Sequence, residues 1–142
     1  MVLERSGDAF TAGGDVEMLR EHLDAQPPAP DRDRPVRANE HATVQRLVEY
    51  PLPTVAKVDG LALGDGANLA IACDVPLASE RTRIAFSHVR FGLSMDTGDS
   101  YLLPRVVGRG MAKELAYTGH VVDAEEAHEL GLVNHVYPVE SF

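Results

Sequence analysis

Two short stretches, Ala12–Asp15 in "TAGGD" and Gly64–Gly66 in "LGDGA", are glycine-rich and lead directly into helix-forming sequence. A chain that turns on glycine into a helix leaves backbone N–H groups exposed at the positive end of the helix dipole. Such groups suit an anion, or a carbonyl oxygen that acquires negative charge. If the two loops converge in space they make a two-donor oxyanion hole. On spacing alone, both read first as tight strand-to-helix turns, because isolated glycine loops are weak signals. Asp65, between Gly64 and Gly66, complicates the oxyanion reading. A carboxylate about 5 Å from a forming oxyanion costs about 3 kcal/mol at an effective dielectric near 20. If Asp65 instead caps the helix beginning at Gly66, the carboxylate turns away and its own N–H stays available, and the N-cap preference of aspartate favours this arrangement.

His88 follows a strand-like segment and carries an imidazole suited to proton transfer near neutrality, although a hydrogen-bonded structural histidine fits the same position. The lone cysteine, Cys73, lies among small apolar residues in "AIACD", which reads as a buried, inert thiol. The six histidines show no HExxH-type spacing and there is one cysteine, so no metal site is expected.

The elements that must position these residues follow from periodicity and punctuation. Residues 2–4 read as the end of a strand, and Val16, Leu19 and Leu23 fall at helical spacing, predicting a helix to about Ala25. Four prolines in the twelve residues of "QPPAPDRDRPVR", positions 26–37, predict an exposed loop. A second helix over "NEHATVQRLVEY" ends at "PLP". "TVAKVDG" reads as one buried strand running into the second glycine loop, and "GANLAIAC" as the helix that leaves it. "VPLAS" and "RIAFS" are strands across the turn "ERT", and helices are expected over Tyr101–Val107 and Met111–Thr118. Asp123 with Glu126 forms an N-terminal capping signature, Gly131 a stop, and "LVNHVY" a final strand. Strands alternating with helices predict an α/β architecture.

The chain has 142 residues, enough for one domain. An apolar share of 44% is ordinary for a globular protein, and a formal net charge of -9 with 13 Lys and Arg argues against a nucleic-acid partner. No apolar run approaches the roughly 18 residues needed to span a membrane, and no basic-then-apolar leader is visible. One cysteine allows no internal disulfide, so a soluble cytoplasmic protein is expected.

"GDAFTAGGD", "PTVAKVDGLALGDGANLAIACDVPLAS", "FGLSMDTGDSYLLPRVVGRGMAKELAYTG" and "DAEEAHELGLVNHVYP" together resemble the enoyl-CoA hydratase/isomerase, or crotonase, superfamily. The resemblance spans nearly the whole chain in order. It implies a ClpP/crotonase-like spiral of ββα units, incomplete here relative to the family. The chain is expected to begin inside the second or third strand and to stop before the C-terminal helices that help assemble trimers. It also implies an acyl-CoA thioester substrate, with coenzyme A as part of that substrate and no separate cofactor. The oxyanion donors carried over are the amides of Gly14 and Asp65, and Ala12, Asp15 and Val16 fall where the family lines the CoA and acyl pocket. A homo-oligomer, trimer or hexamer, goes with the resemblance.

Hydratases of the family use two glutamates. The matching positions here are Asn68 and His88, which disfavours water addition by a two-carboxylate route. Asn68 is read as facing a helix neighbour, with a hydrogen-bonding role the alternative. Asp96 falls where Asp-using isomerases of the family carry their catalytic aspartate. A 1,3-proton shift needs one base that removes a proton and returns it elsewhere, which a single carboxylate can do. An aspartate opening the turn "DTGD" is the plainer reading of the same residue. Met95 and Asp99 replace the family's usual proline and second glycine. The expectation is therefore a double-bond isomerase, with a catalytically silent acyl-CoA-binding or assembly member of the same family as the alternative. A dinucleotide site is disfavoured because "GLALGDG" lacks GxGxxG spacing.

Overall fold

The computed structural model describes residues 1–24 and 34–142. The chain runs β1 (Val2–Glu4), α1 (Val16–Asp24), α2 (Arg34–Val48), β2 (Val55–Val58), β3 (Leu61–Leu63), α3 (Asp65–Ala72), β4 (Val75–Ser79) and β5 (Arg83–Ala85). After a 3-10 turn at Ser87–Phe91 come α4 (Asp99–Val106), α5 (Gly108–Thr118), β6 (Val122–Asp123), α6 (Ala124–Glu129), β7 (His135–Tyr137) and a last 3-10 turn, Val139–Ser141.

The strands form two sheets. One has the order β1-β2-β4-β7 with every pairing parallel. The other has the order β3-β5-β6, parallel between β3 and β5 and antiparallel between β5 and β6. Thr11 extends this second sheet by a parallel bridge to Ala62. The chain therefore repeats one path three times: a strand in the first sheet, an extended segment in the second, then helix. Stacking of such units gives the spiral of ββα units that the resemblance implies, on the α/β architecture that the alternation predicts.

Two departures from the sequence expectation are the largest. "TVAKVDG" does not run straight into the glycine loop: the chain turns at Asp59–Gly60 and places β3 in the other sheet. Asp59 is buried at this turn, where Arg81, Ser79 and Arg5 surround it at 2.5, 2.6 and 2.5 Å. Led by the Arg81 contact, these partners hold its carboxyl far below the usual carboxylate range despite its burial. The loop expected over 26–37 lies largely outside the described residues, and from Arg34 the chain is already helical. Proline is tolerated there because the first helical turn has no use for the missing N–H.

The core lies between the sheets and under the helices. Ala56, Ala62, Ala67, Ala70 and Ala78 are fully buried and let α3 approach the strands closely, while Phe86, Ile84, Leu103, Leu115 and Leu132 fill the remaining volume. Asp74 receives Thr54 N–H and O–H at 2.8 Å each and its own N–H binds Thr54 Oγ1 at 2.9 Å, fastening the end of α3 to the start of β2. Cys73 is buried beside this clasp, and burial pushes its thiol up, in keeping with an inert role. Asp123 caps α6 by accepting the Glu126 N–H at 3.0 Å, as the sequence signature predicts. No helix of the described residues is long and apolar enough to cross a membrane.

Candidate active site

The two glycine loops do converge. Thr11 N–H binds Leu61 O at 3.0 Å and Leu63 N–H binds Thr11 O at 3.1 Å, so the segment after β1 lies against β3. At Gly13 a Cβ would stand 2.6 Å from Leu63 O and 3.8 Å from the Asp65 nitrogen, so side-chain-free backbone is what permits the approach. Gly64 N–H is held by Ala85 O at 2.8 Å, which fixes the second loop on the end of β5. Asp65 opens α3, so its N–H belongs to the unpaired first turn of that helix. Among the described residues, neither the Gly14 nor the Asp65 N–H has an acceptor.

Of the other residues expected to line the pocket, Ala12 is exposed beside these amides, and Val16 is exposed at the first position of α1. The Asp15 carboxylate accepts the Met18 N–H at 3.0 Å, so this oxygen is committed to capping α1.

Asp65 does not cap its helix, contrary to expectation. Gly64 holds the N-cap position and no side chain caps α3. Standing one residue inside, Asp65 sends its carboxylate across to the loop before α4, where Oδ1 accepts the Thr97 O–H at 2.7 Å and faces His88 Nε2 at 3.4 Å. The His88 contact, followed by the Thr97 hydrogen bond and opposed by desolvation, lowers the Asp65 carboxyl below the usual range.

Asp96 arrives from the same loop. Donor atoms of Asp65, His88 and Asp96 lie within 4.8 Å of one another, and the Asp96 carbonyl accepts a hydrogen bond from His41 Nε2 on α2. Two oxygens and an imidazole are a ligand set a divalent cation accepts. Asp65 Oδ1 is already engaged by Thr97 and His88, which favours a hydrogen-bonded proton network there.

Asn68 is fully buried and does not turn to a helix neighbour. Its Nδ2 donates to Thr97 O at 2.8 Å and Thr97 Oγ1 at 3.2 Å, placing it behind the loop that carries Asp96. His88 is 8% exposed, with Nδ1 at 3.5 Å from Asp99 Oδ2, an ion-pair distance without hydrogen-bond alignment. Its hydrogen bond to Asp65, aided by Asp99 and Asp96 and opposed by burial, raises the imidazole above its ordinary value. Asp99 is completely buried, takes the Ser100 N–H on Oδ1 at 3.0 Å, and is raised by desolvation against the pull of His88. Sequence reasoning did not assign roles to Thr97, Asp99 or His41. The available signal was Asp99 itself, a carboxylate where glycine is usual.

A groove of about 380 Å³ runs from Asp96 and Thr97 between α2 and α4, with Val44, Val48, Tyr101 and Leu102 on its walls. It is open, mostly apolar and contiguous with the carboxylate cluster.

A family model described as enoyl-CoA hydratase/isomerase matches residues 1–142. The 1,2-epoxyphenylacetyl-CoA isomerase of Escherichia coli is 36% identical over 133 residues, 94% of this chain and 50% of that protein. The crotonyl-CoA hydratase of Syntrophomonas wolfei is 36% identical over 146 residues, 99% of this chain and 52% of its own length. Among solved structures, an enoyl-CoA hydratase/isomerase from Cupriavidus metallidurans superposes with a TM-score of 0.82 at 39% identity, covering 90% of this chain and 47% of the other. The chain thus spans about half the length of the curated relatives it matches.

Proposed function

The chain belongs to the enoyl-CoA hydratase/isomerase (crotonase) superfamily, and we propose that it acts on an acyl-CoA thioester as a double-bond isomerase working through an enolate. In this reading the Gly14 and Asp65 amides polarise the thioester carbonyl. Such preorganised donors are often the largest contribution to catalysis, one being worth roughly 3 kcal/mol. Asp96 removes a proton from the activated carbon chain and returns it at another carbon, so a single carboxylate serves as base and then acid. The acyl group extends into the groove lined by Val44, Val48, Tyr101 and Leu102. Family relatives include proteins named as isomerases and as hydratases, so the choice between reactions rests on residues of this chain. Asn68 and His88 stand where the two glutamates of hydratases are expected, and Asn68 is occupied with Thr97.

The observation that carries the proposal is the convergence of Asp96 on the head of α3, with a carboxylate oxygen within 4.8 Å of a carboxylate oxygen of Asp65, the residue whose N–H is the proposed second donor. Calorimetric titration with a crotonyl-CoA-type thioester and with free CoA, followed by α-proton exchange measured by NMR, provides the test. The thioester is expected to bind well above CoA, and Asp96→Asn to keep that binding while exchange falls by about 100-fold or more. Equal exchange in the variant removes Asp96 from the mechanism. Tight thioester binding with no exchange in the wild type supports the silent acyl-CoA-binding member instead. A homo-oligomer is part of the same proposal, and sedimentation equilibrium measures it.

A further inference from the structure

We propose that His88, clamped between Asp65 and Asp99, is the counter-ion that makes a carboxylate tolerable at the oxyanion site, and so acts as a positioning residue for Asp65. This rests on the reading of the Asp65 amide as an oxyanion donor. The N–H and the carboxylate of Asp65 belong to one residue, and a carboxylate free to swing beside its own amide repels the negative charge that the amide is there to stabilise.

Two contacts hold it aside, and a third backs one of them. Thr97 O–H fixes Oδ1 at 2.7 Å, His88 Nε2 faces the same oxygen at 3.4 Å, and behind His88 stands Asp99 at 3.5 Å. Thr97 is neutral and fixes direction only; an imidazolium also cancels charge. His88 is 8% exposed and Asp99 is 0% exposed, and His88 Nδ1 and Asp99 Oδ2 have no hydrogen-bond partner among the described residues. A buried carboxylate beside a buried imidazole is costly unless at least one proton lies between them, and a protonated His88 answers both Asp99 and Asp65. The titratable groups around the cluster are Asp65 from α3, Asp96 from the loop, Asp99 from α4 and, toward Asp65, His41 from α2. Three of these are carboxyl groups, so the surroundings hold the proton on His88 even though burial opposes it.

The test is a mutant cycle on Asp65 and His88, read by α-proton exchange of the thioester. His88→Gln keeps hydrogen-bonding capacity and loses the charge. It is expected to lower kcat on the order of 100-fold with little change in KM, because the repulsion acts on the enolate and not on the bound thioester. The double variant Asp65→Gly, His88→Gln is expected to recover to within several-fold of Asp65→Gly alone, since no carboxylate then needs a counter-ion. A double variant as slow as His88→Gln means that His88 itself moves protons, and an unimpaired His88→Gln means that no counter-ion is needed. Either result overturns the proposal.

A second arm needs no turnover. In ¹⁵N NMR titrations the His88 midpoint is expected above its ordinary value in the wild type and lower in both Asp65→Asn and Asp99→Asn. A midpoint that ignores both substitutions overturns the clamp. Absence of any acyl-CoA turnover in the wild type would instead sink the proposed function, and the titration then decides the clamp by itself.

Discussion

Gly66→Ala joins packing to chemistry in one methyl group. An ideal Cβ at Gly66 lies 2.3 Å from Thr11 Cγ2, 3.1 Å from Thr11 Cβ and 2.9 Å from Thr11 O. Carbon atoms in good contact stand about 3.5–4.0 Å apart, so the methyl overlaps by more than 1 Å. Rotation of Thr11 can remove the first overlap only by disturbing Oγ1, which accepts the Gly13 N–H at 3.2 Å. The carbonyl cannot yield cheaply, because Leu63 N–H holds it at 3.1 Å. Alanine in place of glycine within a helix gains up to about 1 kcal/mol, whereas overpacking costs about 1–3 kcal/mol. Since the blocking atom includes pinned backbone, the loss wins, and a net destabilisation of about 1–2 kcal/mol is expected. The same displacement moves the 11–14 loop away from the head of α3. If it misplaces one donor, exchange activity falls by up to about 100-fold. Urea unfolding at unchanged m-value measures the first effect and α-proton exchange the second. Thr11→Ser in the Gly66→Ala background deletes Cγ2 and keeps Oγ1, so it should recover part of the lost stability. A Gly66→Ala midpoint equal to or above wild type refutes the packing argument and with it the claim that this contact aligns the two amides.

Three other outcomes are expected. Gly110→Ala in α5, where an added Cβ meets nothing within 4 Å, should raise the unfolding free energy by about 0.5–1 kcal/mol, and a lowered urea midpoint would contradict this. Asp123→Ala removes the acceptor of the Glu126 N–H and should cost about 1 kcal/mol in the same assay, an unchanged midpoint showing that the cap is immaterial. The third concerns pH. His88 is raised in the folded chain, so its contribution is complete below its ordinary 6.5 and fades as pH climbs through the raised value. Asp65 is lowered, so its contribution is complete above 3.8 and fades as pH falls through the lowered value. Asp99 is raised and runs oppositely, its contribution fading as pH rises from 3.8. Melting temperature against pH should therefore decline on the alkaline side of 6.5, and His88→Gln should flatten that limb. An equal slope in the variant would assign the decline elsewhere.

Much of the fold is legible where the signal is local. Val16, Leu19 and Leu23 mark α1, which ends at Asp24, and Asp123, Glu126 and Gly131 bracket α6. Two features are not legible, for physical reasons. Between Thr54 and Leu63 the Asp59–Gly60 dipeptide is a turn signal, but periodicity gives no sign that the chain changes sheets there. The turn is stabilised by Arg81 and Arg5, and Arg5 lies 54 residues away in the chain. Pro35 reads as a breaker, yet it falls in the first turn of α2, where proline costs no hydrogen bond. In the site, the resemblance indicates which amides and which loop aspartate belong together. It assigns no role to Thr97, which carries no motif, and marks Asp99 only as a carboxylate where glycine is usual.

Asp65 shows why the last step needs the fold. Aspartate before a helix favours capping it, and that local rule gives the sequence expectation. Gly64, however, has φ 53° and takes the N-cap position, a conformation in which side-chain-bearing residues are strained. The helix therefore starts one residue earlier than the cap reading requires, and the carboxylate of Asp65 emerges from inside the first turn. From there its partners are His88 and Thr97, 23 and 32 residues further along the chain. A shift of one residue in helix register thus converts a local cap into a long-range ion pair, with the same negative end still favoured by the helix dipole. Under the proposal above, the charge on His88 sets whether the carboxylate beside the amide obstructs enolate chemistry, and Asp65 first, then Asp99 behind it, hold that charge.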